Sequence, residues 1–170
     1  MKPLPSNPNL EQLKRQAKDL LSDVHNGAPD ALSRVTATLG QADAAELRLH
    51  DAHFCIAREY GFASWTALKD FVEMARARRA DPAKLAADFA RLAYSGGIAD
   101  GMDQPQPEKA ARFLLLLKDR GPLDPWIACA AGEVAVVEDA LRNDPEWHAV
   151  PGGPLNLPPL VAATQSSLIR

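Results

Sequence analysis

The chain is poor in the residues that hold small proteins together covalently or through metals. Its 170 residues include two cysteines, Cys55 and Cys129, each inside an apolar helical pattern. Such positions suit buried free thiols in a reducing compartment, so no disulfide framework is expected. There are four histidines. His50 and His53 stand three apart, with Asp51 and Cys55 near, and that spacing can put two ligands on one helical face. A metal site needs a further ligand cluster, and His25 and His148 are isolated in sequence. No metal or other cofactor is therefore expected. The same shortage weakens a Cys–His nucleophile, which needs a base and an orienting group brought close to it. Ser95-Gly96-Gly97 and Pro151-Gly152-Gly153-Pro154 have neither the flanking strand nor the Lys-Ser/Thr ending of a phosphate loop. The reading is non-enzymatic.

Other absences narrow the setting. Nineteen Lys and Arg against 22 Asp and Glu leave a net charge of −3, so no global field draws nucleic acid or an anionic membrane. The longest strongly apolar run, Phe113 to Leu117, is too short to cross a bilayer. The opening Met1-Lys2-Pro3-Leu4-Pro5-Ser6-Asn7 has no apolar signal segment. A soluble, cytoplasmic protein is expected. No stretch alternates convincingly as a strand.

What the chain does have is helix. With 46% apolar and 24% charged residues it can bury a real core. Leu10, Leu13, Ala17, Leu20, Leu21 and Val24 trace one helical face that opens with a capping-box-like Asn9 and Gln12 and closes at Gly27. A second helix begins at Pro29 and uses Leu32, Val35 and Leu39. A third runs from about Asp51 to Tyr60, stopped by Gly61. Ser64 caps a fourth whose face is Trp65, Leu68, Phe71, Val72 and Ala75 and which runs towards Arg79. Leu85, Phe89, Leu92 and Ala93 predict a helix after Asp81-Pro82, and Ala110, Phe113, Leu114 and Leu117 another before Gly121. The intervening Ile98 to Pro107 reads as exposed, as a connection first and a recognition loop second.

From Asp124 the chain reads D-P-W-I-A-C-A-A-G-E-V-A-V-V-E-D-A-L. Asp124 can cap, Pro125 fits the first helical position, and Ala128 to Ala131 keep the helix thin enough for close neighbours. Gly132 ends it, and Val134, Val137 and Leu141, widened by Val136 and Ala140, form the packing stripe of a second helix. A turn-rich stretch through Pro151-Gly152-Gly153-Pro154 follows, and the pattern restarts at Pro159 as P-L-V-A-A-T, a period of 34 residues.

This unit resembles the ankyrin repeat. It departs from that pattern in having Asp124 for the usual Thr, Ile127 for the usual His, and one residue fewer before Gly132, so the Thr–His bonding of many such repeats is absent. Two upstream segments, N-L-E-Q-L-K-R-Q-A-K-D-L-L and L-H-D-A-H-F-C-I-A-R-E-Y-G-F-A-S-W-T-A-L-K-D-F-V, look like a region found ahead of ankyrin repeats in many bacterial proteins. The resemblance implies an all-α fold. Residues 1–79 would form an N-terminal helical cap and 80–170 the ankyrin-like repeats, as a divergent unit 80–121, the clearest unit 122–155 and a partial unit 156–170.

It also implies a non-catalytic scaffold for protein–protein interaction. Its contacts would come from loop tips and exposed aromatics: Trp126, Asp144, Glu146, Trp147, His148 and Asn156. The plainer reading of both tryptophans is core packing or loop anchoring. A protein partner is expected, with no membrane and with nucleic acid disfavoured. The alternative is a DNA-binding regulator using a helix-turn-helix-like segment at 52–79. Against it, the second helix opens with Trp65, Thr66, Ala67 and Leu68, carries Asp70 and Glu73, and gathers Arg76, Arg78 and Arg79 only at its end. The partial last repeat reads as a piece of a longer array. Self-association is the next choice, and a fold-back of Leu168 and Ile169 the third.

Overall fold

A computed structural model describes residues 1–40, 43–96 and 104–169. Among the described residues the protein is all-helical: nine α-helices, two short 3-10 turns and a single isolated β-bridge. The chain divides into two compact units, Met1–Arg76 and Ala77–Arg170. The boundary read from the sequence lies three residues further on.

The first unit holds α1 (Leu10–His25), α2 (Pro29–Leu39), α3 (Leu49–Glu59) and α4, which spans Trp65–Ala77 across the boundary. Asn9 starts α1 by accepting the Glu11 and Gln12 backbone N–H groups at 2.8 and 3.4 Å. Asp51 takes the Arg48 backbone N–H at 2.9 Å, so α3 starts two residues earlier than its apolar pattern predicts. The Ser64 hydroxyl receives the Ala67 N–H at 3.1 Å and starts α4. Leu13, Ala17, Leu20 and Val24 of α1 meet Ala31 and Val35 of α2, Ala52, Cys55 and Ile56 of α3, and Leu68 and Val72 of α4 in one core. Recurrence at three and four residues puts these groups on single faces, and their burial drives the assembly.

Polar groups fix that core's edge. Glu59, at the end of α3, pairs with Arg34 at 2.7 Å and with Lys2 at 2.5 Å. Burial pushes its carboxyl up, but the hydrogen bonds from Arg34 and Lys2 outweigh this and hold it below its ordinary value. His53 stacks on Trp65 with ring centroids 4.2 Å apart. Burial, and then the charges of Lys14, Lys18 and Lys69, keep it less basic than usual.

The second unit is built from shorter and thinner pieces. It contains α5 (Pro82–Ala93), α6 (Pro107–Lys118), α7 (Pro125–Ala131), α8 (Val134–Asn143) and α9 (Pro159–Gln165), with 3-10 turns at Pro145–Ala149 and Gly153–Leu155. Proline leads α5, α6, α7 and α9, where its missing N–H removes a donor that would have no helical partner. Of the connection read at Ile98 to Pro107, residues 98–103 lie outside the described residues.

α5 packs on α6 and α7 on α8, while α9 lies against α7. Gly132 turns α7 into α8 at φ 74°, ψ 24°, a left-handed geometry that suits glycine. Gly152 and Leu157 exchange two backbone hydrogen bonds of 3.1 Å, closing a small loop over the second 3-10 turn. The residues after α9 fold back onto the ends of other helices. The Ser166 hydroxyl donates to the Ala130 carbonyl at 2.6 Å, and the Ser167 N–H to the Ala93 carbonyl at 3.0 Å. These are carbonyls that a helix end leaves without a partner. Tyr94, itself buried, donates to the Ala162 carbonyl at 2.6 Å. That burial pushes its phenol well above the usual tyrosine range.

The α8 stripe packs only in part: Val137 and Ala140 reach the cluster of Cys129, Trp147 and Ala162, whereas Val134 is 63% and Leu141 36% exposed. α8 meets the rest of the unit along one narrow line, because α7, with four small residues at its end, leaves little width to cover. No helix among the described residues is long and apolar enough to cross a membrane.

Candidate binding cleft

The second unit contains a cleft of 480 Å³ where α5, the end of α6, the start of α7 and the Gly152–Leu157 loop converge. Proline at the first position and alanine after it make the near wall low: Pro82, Ala83 and Ala86 of α5 present no bulk. Leu117, Leu123 and Ile127 make an apolar floor, and Pro122 and Pro154 stiffen the sides. The volume falls within the roughly 300–1,000 Å³ of clefts that hold small ligands.

Among the described residues two ionisable groups line it, Arg120 and Asp124. The Arg120 guanidinium donates to the carbonyls of Ala77, Arg78 and Ala80, at 3.2 Å for Ala77 and 2.8 Å for Arg78. It closes the turn between α4 and α5. Asp124 accepts the Trp126 and Ile127 backbone N–H groups through one oxygen, Oδ1, at 3.0 and 3.3 Å. The sequence foresaw that cap, and its place on the cleft follows from where α7 begins.

The loop beside the cleft is fixed by Trp126. Its indole N–H donates to the Val150 carbonyl at 3.1 Å, and its ring meets Trp147 edge-on with centroids 5.3 Å apart. The backbone of Gly152 and Gly153 lies directly on Trp126. A methyl group at Gly152 would overlap the indole ring, and one at Gly153 would sit 2.5 Å from the Trp126 Cβ. Gly153 also takes φ +66°, so both space and conformation call for glycine there.

The six residues expected to meet a partner are thus dispersed in role. Trp126 is half-buried and anchors the loop. Trp147 is 7% exposed, packed in the α7–α9 cluster with its Nε1–H unpartnered among the described residues, so the packing reading of this side chain is the observed one. Asp144 is exposed and caps the first 3-10 turn, accepting the Glu146 N–H at 3.1 Å. Glu146 is exposed, and so is His148, whose Nδ1 lies 2.7 Å from the Pro145 carbonyl. Asn156 is exposed in a left-handed conformation at the loop's end. The structure brings Trp126 and Trp147 together, but none of these six lines the cleft. The cleft residues Ala83, Ala86, Arg120 and Pro154 were missed; the run of small residues in α5 was the available signal.

No group of three or more histidine, cysteine or acidic side chains is placed to hold a metal ion among the described residues. Both cysteines are free and buried, and burial pushes each thiol up, away from the reactive thiolate. No protein-family model, no curated protein and no solved structure matches this chain.

Proposed function

We propose that the chain is an ankyrin-like, non-catalytic scaffold that binds a protein partner in the second unit, with the first unit acting as a helical cap. The observation that carries this reading is the cleft, walled by the thin Pro-led helices and bordered by a short bridged loop. Two Pro-led helices of seven residues, α7 and α9, lie against each other 34 residues apart in sequence. This supports stacking of like units, in which first helices adjoin first helices. The bridged Gly152–Leu157 loop stands where the finger of such a repeat would project.

A random peptide library displayed on phage and panned on the folded chain tests the proposal. Binders should be recovered whose affinity falls about tenfold or more when Ala86→Arg fills the cleft, a loss typical of blocking a central contact. Binders indifferent to that change would reject the cleft as the site. Random duplex DNA at low salt should not be retarded by the protein. Retardation that added salt abolishes would instead favour the DNA-binding regulator.

A further inference from the structure

Resting on that reading of the cleft, we infer that its occupant is an extended segment of a partner protein in which a bulky aliphatic or aromatic side chain stands beside a lysine or arginine. The apolar half of this follows from the walls. Ala83, Ala86, Leu117, Leu123 and Ile127 enclose the 480 Å³ space, and no aromatic side chain among the described residues lines it. Pro122 and Pro154 have no N–H to offer a ligand's carbonyls. Shape and apolar burial, rather than a ladder of backbone bonds, therefore select what enters.

The basic half follows from how the two lining charges are already used. Arg120 faces three carbonyl oxygens, which absorb both terminal nitrogens of its guanidinium. Its charge is committed to the turn behind the cleft. Asp124 has only two backbone N–H groups, both on Oδ1, and no described lysine or arginine pairs with it. The start of α7 offsets part of that negative charge without supplying a counter-ion. Lys84 and Lys118, on the walls' own helices, are paired elsewhere, with Asp88 at 2.6 Å and Glu133 at 2.5 Å. The cleft therefore presents an uncompensated carboxylate beside an apolar floor, and a cation next to an apolar anchor complements both.

Asp124→Asn separates this charge role from the structural one, because asparagine caps a helix as well as aspartate does. Peptides recovered from the random library should pair a bulky apolar residue with Lys or Arg. Synthetic copies should bind the Asp124→Asn protein roughly twofold to fivefold more weakly, the worth of an exposed ion pair. Replacing the peptide's basic residue by Gln should cause the same loss, with no further loss when both changes are combined. Asp144→Asn, at another exposed cap, should change nothing. Circular dichroism verifies the fold of each variant, and Ala83→Arg serves as a second block of the cleft beside Ala86→Arg. Binders that are blocked by these arginines but lack a basic residue, carry acidic ones, or ignore Asp124→Asn overturn the inference and leave the scaffold reading standing. If no recovered binder responds to either arginine, both readings fall.

Discussion

The two units of this chain are held by different means. Met1–Arg76 gathers leucine, isoleucine and valine from four amphipathic helices into one core, so its stability scales with the apolar area removed from water. Ala77–Arg170 also buries Leu85, Phe89 and Phe113, but its α7–α9 part relies on small residues, close backbone approach and side chains that bond to backbone carbonyls. The first is stabilised by how much it buries. The α7–α9 part of the second is stabilised by how closely it fits, and its thin helices leave the shallow walls of the cleft.

The comparison can be broken by removing atoms from one unit and adding them to the other. Leu20 is 1% exposed. Leu20→Ala should cost about 2–5 kcal/mol, as lost transfer energy plus a cavity, seen as a lower urea midpoint with a similar slope. A loss below about 1 kcal/mol would mean that the first unit's core collapses around the gap, and that bulk is not what holds it. In the second unit the sensitive change is the reverse. Gly152→Ala and Gly153→Ala each add a single methyl, yet each should destabilise by about 1–3 kcal/mol, because the new carbon meets Trp126. Tryptophan emission should shift as Trp126 leaves Trp147. Unchanged emission and stability would show that the loop does not depend on that close approach.

The smallest effect concerns the edge of the first core. Glu59 has its carboxyl held below the ordinary 4.5, with burial opposed and outweighed by Arg34 and Lys2. Near that pH the folded state binds fewer protons than the unfolded chain. The stabilisation is therefore full above about 4.5 and is lost as pH falls through the lower folded value. Glu59→Gln should destabilise by about 1 kcal/mol at neutral pH, and its difference from the parent should close in acid. A difference that persists unchanged in acid would assign the loss to packing instead of charge.

Much of the fold could be read locally. Asn9, Ser64, Asp81 and Asp124 all cap the helices whose starts they mark, and Pro29, Pro82, Pro125 and Pro159 each open one, whereas Pro107, read as the end of a connection, opens α6. These signals act within three or four residues of chain, and so survive in sequence. The candidate site was much less legible. Trp147, in a turn-rich stretch with exposed neighbours, reads as a rim residue, yet it is buried because α9 returns beside α7. Gly152-Gly153 reads as part of a turn-rich stretch, but the pair is needed as clearance for an indole 26 and 27 positions earlier. The small residues of α5 become a cleft wall only because the Gly152–Leu157 loop arrives opposite them.

The sequence by itself determined that the chain is helical, where most helices start, and which face of each in the first unit turns inward. Each of these depends on periodicity, capping or composition, all of which are properties of neighbouring residues. The tertiary structure alone decided which tryptophan is covered, which of two lining charges remains uncompensated, and where a cleft opens. Those outcomes depend on distances between segments far apart in the chain, and such distances are set by packing, which no local pattern encodes.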